Sequence, residues 1–238
     1  MAKLEPGRIL VWDIETSDFK ANFGHMLMWA GKFVGEDQIY SMRIDDNPDY
    51  NTGARTMIDD KRIVLGIRDL LESADAIVHH YGDRFDLPFV NTRCLEWGEL
   101  PPAATSKIDT WRVARQNLAM TSNRLGVLAE SFGGDNQKGG LSKNQWKLAH
   151  HGDKEVLDAM MEYCIQDVRA TEAIYLAMRP LIWNHPVMHT GNDEILCPAC
   201  GSEKTHGNGT RRTKHQLIYR QRCTKCGTGF IRRREAIK

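Results

Sequence analysis

Long apolar runs are absent from this sequence. No stretch of the 238 residues approaches the roughly 20 consecutive apolar residues that a membrane-spanning helix requires, so we expect neither a membrane span nor a membrane partner. Residues 1–7 also lack the apolar core of a signal peptide. These absences predict a cytoplasmic, or at least intracellular, protein, with a cellular and a viral origin both left open.

Net charge is also nearly absent, because 32 Lys and Arg oppose 31 Asp and Glu. The distribution is uneven, however. Residues 195–238 hold eleven basic and two acidic residues, a charge of +9, which leaves −8 for residues 1–194 out of a total of +1. An acidic body with a basic appendage is typical of an enzyme that binds cations and also holds a polyanion.

Cysteine is scarce, and most of it lies in two C-x-x-C-G motifs separated by 22 residues. The four cysteines of these motifs are Cys197, Cys200, Cys223 and Cys226. This spacing predicts a tetrahedral site for one structural Zn²⁺ of the zinc-ribbon kind. A pair of disulfides is the alternative, which a reducing compartment disfavours. Cys94 and Cys164 have apolar neighbours and are predicted to be ordinary core cysteines.

The most informative stretch is residues 8–16, RILVWDIET. Its four consecutive apolar residues predict a strand that is buried on both faces. Asp13 and Glu15 follow two residues apart, and the period of a strand places both side chains on one face. Neighbouring carboxylates repel unless a cation lies between them, and such oxygen ligands suit Mg²⁺ or Mn²⁺. Two solvated acids at an exposed strand end are the alternative.

The rest of the chain predicts an α/β fold in which helices flank a mixed five-stranded sheet. Strands are predicted over residues 8–16, 25–34, 38–44, 75–80 and 104–109, the first three as an antiparallel meander. Helices are predicted over residues 61–74, 84–97, 110–117, 124–132 and 153–180. Predicted loops cover residues 45–60, residues 133–140 as a surface connection or a substrate contact, and the surface residues His150 and His151.

Asp86 is a further candidate acid. It falls in the first turn of the helix after the fourth strand, where an Asp can simply interact with the helix dipole. It can also point back toward the carboxyl end of that strand. Asp83 competes with it, and Asp86 is preferred because Phe85 and Phe89 turn its face inward.

Tyr163 and Asp167 form the last candidate pair. They lie four residues apart on the longest predicted helix and therefore share one face, one turn from each other. A tyrosine at a core edge beside a solvent-exposed Asp would give the same local pattern. The other acidic residues must decide between these interpretations.

Three motifs in this order resemble those of the DEDD superfamily of 3′→5′ exonucleases, which have an RNase H-like fold. They are D-x-E, an Asp that follows Gly-x-x-Phe, and the Y-x-x-x-D of the tyrosine branch. The histidine branch carries His five residues before the last Asp, where this chain has Glu162. The resemblance covers residues 8–180. The matching residues are Asp13, Glu15, Asp86, Tyr163 and Asp167.

The resemblance implies hydrolysis of phosphodiester bonds by two Mg²⁺ or Mn²⁺ ions, with release of nucleoside 5′-monophosphates. It implies that Asp13 bridges both ions, that Glu15 and Asp167 complete the site of the water-activating ion, and that Asp86 holds the other. Tyr163 would orient the attacking water, since a phenol with a pKa near 10 is a poor base at neutral pH.

Two further positions take their interpretation from the same resemblance. Thr16 would position the terminal nucleotide through its backbone. Family members often carry Asn before the Gly of the second motif, where this chain has Tyr81. We expect this difference to alter local packing rather than metal binding.

The basic appendage mixes cations with aromatic side chains, which suits phosphate contact and base stacking. A solvated charge run and a protein-docking surface are the alternatives. So short a segment buries little core, so zinc would supply its stability. The predicted nucleic-acid contacts here are Arg211, Arg212, Lys214, Tyr219, Arg220, Arg222, Phe230, Arg232 and Arg233.

The sequence therefore predicts an exonuclease domain over residues 1–183, a linker over 184–194 and a nucleic-acid-binding zinc ribbon over 195–238. The expected substrate is DNA or RNA with a single-stranded 3′ end, because discrimination at the 2′-hydroxyl depends on pocket shape. A replication or repair protein is a further candidate partner. The alternatives are a non-catalytic nucleic-acid-binding adaptor on a nuclease scaffold and a structure-specific endonuclease that uses the same site.

Overall fold

The computed structural model describes residues 6–46, 59–103, 105–132, 142–189, 195–212 and 217–232. The predicted loop at residues 133–140 and most of the one at 45–60 lie outside the described residues. Lys214, Arg233 and the side chain of Arg232 also lie outside them, so their predicted nucleic-acid contacts stay predictions.

Five strands form a mixed sheet in the order β3-β2-β1-β4-β5. They are β1 (Ile9–Thr16), β2 (Met26–Phe33), β3 (Ile39–Arg43), β4 (Ala76–His79) and β5 (Ser106–Asp109). The first three strands pair antiparallel, whereas β4 runs parallel to β1 and β5 runs parallel to β4. The predicted mixed sheet is confirmed. Because β1 lies at its centre and is covered on both faces, its apolar run does not alternate with polar residues.

Helices cover both faces of this sheet. They are α1 (Lys61–Glu72), α2 (Asp86–Glu96), α3 (Thr110–Asn117), α4 (Leu125–Phe132), α5 (Lys143–His150) and α6 (Lys154–Met178). The predicted N-cap of α6 is confirmed, since the Asp153 side chain accepts a hydrogen bond from Val156 N at 3.1 Å. In the described part of the chain, no helix is both long and apolar enough to cross a membrane.

Helix α5 corrects the sequence prediction, which placed His150 in a surface loop. A capping box starts the helix: Ser142 Oγ accepts from Gln145 N, and the Gln145 side chain accepts from Ser142 N. His150 ends it with a buried Nδ1 and with its ring 5.1 Å from the ring of His25. The prediction failed because so short a helix carries few apolar positions, while His151 is exposed as expected.

Alternation along β1 decides which side chains meet which helices. The even-numbered residues from Leu10 to Ile14 enter the core that α1 and α2 cover. Odd-numbered residues such as Val11 enter the other core, which holds side chains of α6. Because side chains alternate along a strand, Asp13 and Glu15 lie on the face that meets α6.

The C-terminal part, called the ribbon here, is a second antiparallel sheet in the order β6-β7-β8. Its strands are β6 (Thr205–Arg212), β7 (Leu217–Cys223) and β8 (Gly229–Arg232). Met188 N and His189 N both donate to Pro198 O, at 2.7 and 3.1 Å. Met188 is buried in the core that holds Val11. We call the five-stranded sheet and its flanking helices the body. Part of the predicted linker is therefore packed between the ribbon and the body.

Candidate active site

Four predicted acidic residues converge where β1 ends. Asp13 and Glu15 face α6, which carries Asp167, and Asp86 lies at the start of α2. Burial, followed by the charges of Asp86, Glu15 and Asp167, raises the pKa of Asp13 well above its usual value. Burial and the charges of Asp167 and Asp86 do the same to the pKa of Glu15. The acids are therefore close enough to repel each other.

Asp86 is the first residue of α2 and is 4% exposed. Its carboxylate accepts hydrogen bonds from its own backbone N–H and from that of Ile14 in β1. Burial nevertheless raises the pKa of Asp86 to about 6, against the opposing effect of His79 and of these donors. The ring of Phe85 packs edge-on against Phe19, 6.1 Å between centroids, on the turn before the helix. Asp86 thus points back toward β1, as predicted.

The competing acid, Asp83, belongs to a different set of contacts. Its carboxylate lies 2.7 Å from both Lys107 Nζ and Arg112 Nη1, and 3.4 Å from His79 Nε2. Hydrogen bonds from His79 and from these cations hold the pKa of Asp83 well below its usual range. His79, Asp83 and Asp109 are close enough to hold an ion. Their charge is already balanced, however, and Asp109 accepts backbone N–H groups, so this cluster stabilises the turn before α2.

Tyr163 and Asp167 are brought to the β1 carboxylates by α6. The Tyr163 hydroxyl donates to the Asp167 carboxylate, yet burial raises the pKa of Asp167 to about 7. Burial and the charges of Asp167, Glu15 and Asp13 raise the pKa of Tyr163 well above its usual value. A phenol that stays protonated at neutral pH orients groups through hydrogen bonds and does not act as a base.

Cys164 is the residue that the sequence analysis assigned only to the core. It is fully buried, as predicted, but its Sγ lies 3.7 Å from Asp13 O and 3.8 Å from Asp13 Oδ2. Burial raises the pKa of this thiol well above its usual value, so the neutral S–H is a donor to Asp13. The signal that could have revealed it is its position beside Tyr163 on the helix that faces β1.

The acidic cluster has no ion-pairing Lys or Arg among the described residues. Within the described ranges, no Lys or Arg forms an ion pair with any of the four carboxylates. Buried carboxylates that repel each other are costly unless they are protonated or bound to cations. The ligand atoms that these carboxylates offer are oxygens, which Mg²⁺ and Mn²⁺ prefer, whereas zinc sites mostly use His and Cys. The residues present therefore fit divalent ions of the magnesium class.

The raised pKa values predict that the protein without Mg²⁺ loses stability as the pH rises. A carboxyl group whose pKa is higher when folded binds more protons when folded, so the free energy of unfolding falls between the unfolded pKa near 4 and the folded pKa. For Asp86, with a pKa of about 6, the loss is on the order of 3 kcal/mol. Asp167, with a pKa of about 7, adds to it.

Thermal melts of zinc-loaded protein, dialysed free of Mg²⁺, test this expectation. The Tm should fall from about pH 5 to about pH 8, and Mg²⁺ should raise it more at the higher pH, where the carboxylates are ionised. A Tm that is independent of pH over this range, or equally raised by Mg²⁺ at both ends, would contradict the raised pKa values.

Tyr81 precedes the Gly of the second motif, a position at which DEDD exonucleases often have Asn. Its φ is +67°, in the left-handed region that Asn adopts readily and that costs other residues about 1 kcal/mol. Its N donates to Asp109 Oδ1 at 3.0 Å, and its ring packs edge-on against Trp111 with centroids 5.0 Å apart. Tyr81 thus has a packing partner in Trp111, and the expectation that this residue leaves metal binding unaltered stays a prediction.

A family model of the RNase_H superfamily matches residues 10–179, which is most of the chain and includes all five predicted site residues. The chain belongs to the RNase_H superfamily. The match covers the mixed sheet from the second residue of β1 and ends just after α6, so the RNase H-like fold predicted from the motifs is confirmed. The ribbon lies outside the matched residues.

Two DNA polymerases resemble this RNase_H superfamily chain. DNA polymerase III PolC-type from Ureaplasma parvum serovar 3 is 29% identical over 144 residues, which cover 54% of this chain and 10% of the polymerase. The family B DNA polymerase from Pyrobaculum calidifontis aligns with a TM-score of 0.57 and 17% identity, over 75% of this chain and 26% of the polymerase. The second likeness shows the fold alone. The chain thus spans only a small part of the length of each relative.

The four ribbon cysteines come together as the C-x-x-C-G spacing predicts. Their sulfur atoms all lie within 4.8 Å of one another. Cys197 Sγ and Cys226 Sγ are 3.6 Å apart, and Cys200 Sγ and Cys223 Sγ are 3.7 Å apart. A Zn–S distance of about 2.3 Å would separate the sulfurs of a tetrahedron by about 3.8 Å. The residues therefore fit a Cys₄ zinc site, and their sulfurs are too far apart for disulfides.

The predicted nucleic-acid contacts of the ribbon lie on two faces of its sheet. Strand register places Arg211 beside Ile218 and therefore on the same face as Arg220 and Arg222. These three arginines are exposed. The opposite face carries the other described contacts, Arg212, Tyr219 and Phe230.

Two of the predicted contacts have other partners. Phe230 packs against the cysteine cluster, which explains its presence without a nucleic acid. Thr16 is 7% exposed, and its hydroxyl donates to Asp18 O at 2.8 Å. Only the backbone of Thr16 is left for the predicted contact with a terminal nucleotide.

Proposed function

We propose that this chain is a divalent-metal-dependent 3′→5′ exonuclease that hydrolyses phosphodiester bonds from the 3′ end and releases nucleoside 5′-monophosphates. One observation carries the proposal: Asp13, Glu15, Asp86 and Asp167 converge, with no ion-pairing cation among the described residues, beside the protonated hydroxyl of Tyr163. The three motifs that supply these residues resemble those of the DEDD superfamily of 3′→5′ exonucleases.

Bound Mg²⁺ or Mn²⁺ would supply an activated water and stabilise the leaving 3′-oxygen. Asp13, Glu15 and Asp167 would hold one ion, and Asp13 with Asp86 the other. The chain prepares these ligands before the metal arrives. Backbone N–H groups hold the Asp86 carboxylate, and the Cys164 thiol donates to Asp13. Burial keeps the carboxylates of Glu15 and Asp86 away from bulk water.

Tyr163 would orient the attacking water rather than deprotonate it. With its hydroxyl proton directed toward Asp167, its oxygen could accept a hydrogen bond from the water. Such a contact would turn a lone pair of the water toward the phosphorus. The raised pKa of Tyr163 makes proton abstraction by the phenolate a minor route at neutral pH.

DNA is the proposed substrate, because the relative that matches by sequence, at 29% identity over 144 residues, is a DNA polymerase by name. The ribbon is proposed to hold the strand through Arg211, Arg220 and Arg222. Three exposed cations on one face repel each other, and a polyanion relieves that repulsion. The proposed organisation remains a domain over residues 1–183 that carries the chemistry and a zinc-stabilised ribbon over 195–238 that binds nucleic acid.

The test uses 5′-labelled single-stranded DNA and RNA oligomers, with and without Mg²⁺ or Mn²⁺, resolved on a denaturing gel. A metal-dependent ladder that shortens from the 3′ end of DNA is the expected result. A circular single strand should resist, since it has no 3′ end, and its cleavage would indicate an endonuclease. Tight binding without any cleavage would support the adaptor function instead.

Tyr163→Phe separates the two roles of the phenol. We expect kcat to fall roughly tenfold to a hundredfold, because the water loses its orienting partner, while KM stays nearly unchanged. The shape of the pH–rate profile should also be retained. Steady-state kinetics over a pH series measure both, with Tyr40→Phe, a tyrosine of β3 outside the site, as the control. A rate that no longer rises with pH in Tyr163→Phe would identify Tyr163 as a base, and an unchanged kcat would remove it from the mechanism.

A further inference from the structure

Aromatic and cationic side chains gather beside the acidic site without taking part in the chemistry above. They come from the turn after β4 and from the β5–α3 segment, at the edge strand of the sheet. We call this group the β5-edge surface. Its residues are Tyr81, Arg84, Lys107, Trp111, Arg112 and Arg115.

Trp111 is the centre of this surface. The exposed ring of Tyr81 packs edge-on against it, and Arg115 places its guanidinium carbon 5.1 Å from the Trp111 ring centroid on the same helix. Tyr81 is 41% exposed. An aromatic pair that remains partly exposed beside a guanidinium can accept a further flat ring by stacking.

The charge of the surface is positive on a body that is acidic overall. Asp83 fixes Lys107 and Arg112 through its 2.7 Å contacts, yet these side chains stay 44% and 58% exposed. Arg84 and Arg115 are exposed and form no ion pair in the part of the chain that the structure describes. Four cations thus face two carboxylates, those of Asp83 and Asp109, which leaves the surface positive. Part of the surface forms a concavity of about 310 Å³, lined by Asp83, Arg84, Lys107, Trp111 and Arg112.

One buried carboxylate joins this surface to the acidic site. Asp109 Oδ1 accepts from both Tyr81 N and Trp111 N, each at 3.0 Å, and so holds the two aromatic residues together. Its charge also helps to raise the pKa of Asp86, which places the two groups near each other. The left-handed backbone of Tyr81 is held in place by the same hydrogen bond. Strain that is maintained in this way is typical of functional positions.

We propose that the β5-edge surface binds the single strand upstream of its 3′ end, with a base stacked on the Tyr81–Trp111 pair and phosphates at the flanking cations. This inference rests on the proposed function, since it assigns the path of the substrate. A nucleic acid fits better than an acidic peptide, because it offers a flat ring and a charge at each repeat, as stacking platforms with cationic borders require.

The experiment compares a dinucleotide with a single-stranded DNA of about ten nucleotides, since only the longer one can reach a surface beyond the site. Trp111→Ala should raise the KM of the longer strand about tenfold and leave both kcat values and the KM of the dinucleotide unchanged. Arg115→Ala should weaken binding of the longer strand and reduce its salt dependence. Trp183→Ala removes a tryptophan that is 84% exposed outside this surface and is the matched control.

A second readout does not depend on hydrolysis. Anisotropy of a labelled strand in Mg²⁺-free buffer should show the same roughly tenfold loss of affinity in Trp111→Ala. Equal losses for both substrates, or none for the longer strand, would overturn the inference. If Trp111→Ala does not fold, Arg115→Ala and Trp111→Phe decide in the same assays. A wild-type protein that binds the strand without cleaving it would refute the proposed function. The anisotropy measurements on the variants would then still test whether the β5-edge surface binds the strand.

Discussion

Asp13→Asn is expected to abolish nucleotide release and, at the same time, to stabilise the protein that lacks Mg²⁺. The substitution removes a ligand placed between the other acids, so kcat should fall by about 10³-fold or more. It also removes one of several buried charges that repel each other. We expect a gain in the free energy of unfolding on the order of 1–2 kcal/mol near pH 8.

These opposite signs distinguish a metal ligand from a structural acid. The measurements are single-turnover hydrolysis with Mg²⁺ and thermal melts with and without it. Mg²⁺ should raise the Tm of the wild-type protein and raise that of Asp13→Asn much less. Lower stability in Asp13→Asn without Mg²⁺ would show that the carboxylate has a favourable partner in the protein, and full activity would refute the site.

Asp83→Asn is the matched control for this pair of effects. Asp83 lies only three residues before Asp86, but Lys107, Arg112 and His79 contact its carboxylate. Removing its charge should therefore lower stability at every pH above its depressed pKa and leave kcat nearly unchanged. A loss of activity in Asp83→Asn that matches the loss in Asp13→Asn would mean that the second motif was assigned to the wrong acid.

Much of the fold could be predicted from the sequence because local patterns and buried faces agree. The unbroken apolar run before Asp13 predicts a central strand, and a strand's alternation then places Asp13 and Glu15 on one face. The apolar stripe of α6 likewise places Tyr163 and Asp167 on the side that meets this face. Where the periodicity of a strand or helix decides both which side chains are buried and which reach the site, the site residues can be predicted from the sequence pattern.

Contacts between distant segments could not be predicted in the same way. Cys164 has the neighbours of a core residue, and only the packing of α6 on β1 brings its thiol to Asp13. Tyr81 and Trp111 are 30 residues apart and meet because β4 and β5 run parallel and end together. No periodicity within either segment carries that information.

The ribbon shows the same limit on a smaller scale. Its basic and aromatic residues are interleaved along the chain, which suggested phosphate contact combined with base stacking. The register of β6 and β7 instead places Arg211, Arg220 and Arg222 on one face, while Phe230 packs on the cysteines. Composition was informative about charge, whereas pairing between strands decided which residues share a face.

Cys223→Ser is expected to remove zinc and unfold the ribbon while the body keeps its sheet. Cys223 is 1% exposed, and the small hydrophobic cluster of the ribbon consists largely of the cysteines themselves. Zinc binding supplies about 10–16 kcal/mol in comparable small sites, far more than such a cluster provides. The body has its own two large cores and should melt almost as before.

Loss of the ribbon should affect substrate binding more than chemistry. With Arg211, Arg220 and Arg222 no longer presented together, the slope of log affinity against log salt for single-stranded DNA should fall by about 2, since each phosphate contact contributes about 0.7. Hydrolysis of a dinucleotide should keep its kcat. The measurements are zinc content by elemental analysis, anisotropy titrations over a salt series, and kinetics on both substrate lengths.

Cys94→Ala is the control, because Cys94 is buried in the body and should leave the zinc content unchanged. A full zinc content in Cys223→Ser would refute the Cys₄ site. If the slope of log affinity against log salt is unchanged in the zinc-free protein, the proposal that the ribbon binds nucleic acid is refuted. A lower kcat for the dinucleotide would show that the ribbon also supports α6. Gly227 of the ribbon packs closely against Pro180, which follows that helix: a Cβ added at Gly227 would lie 2.7 Å from Pro180 Cγ.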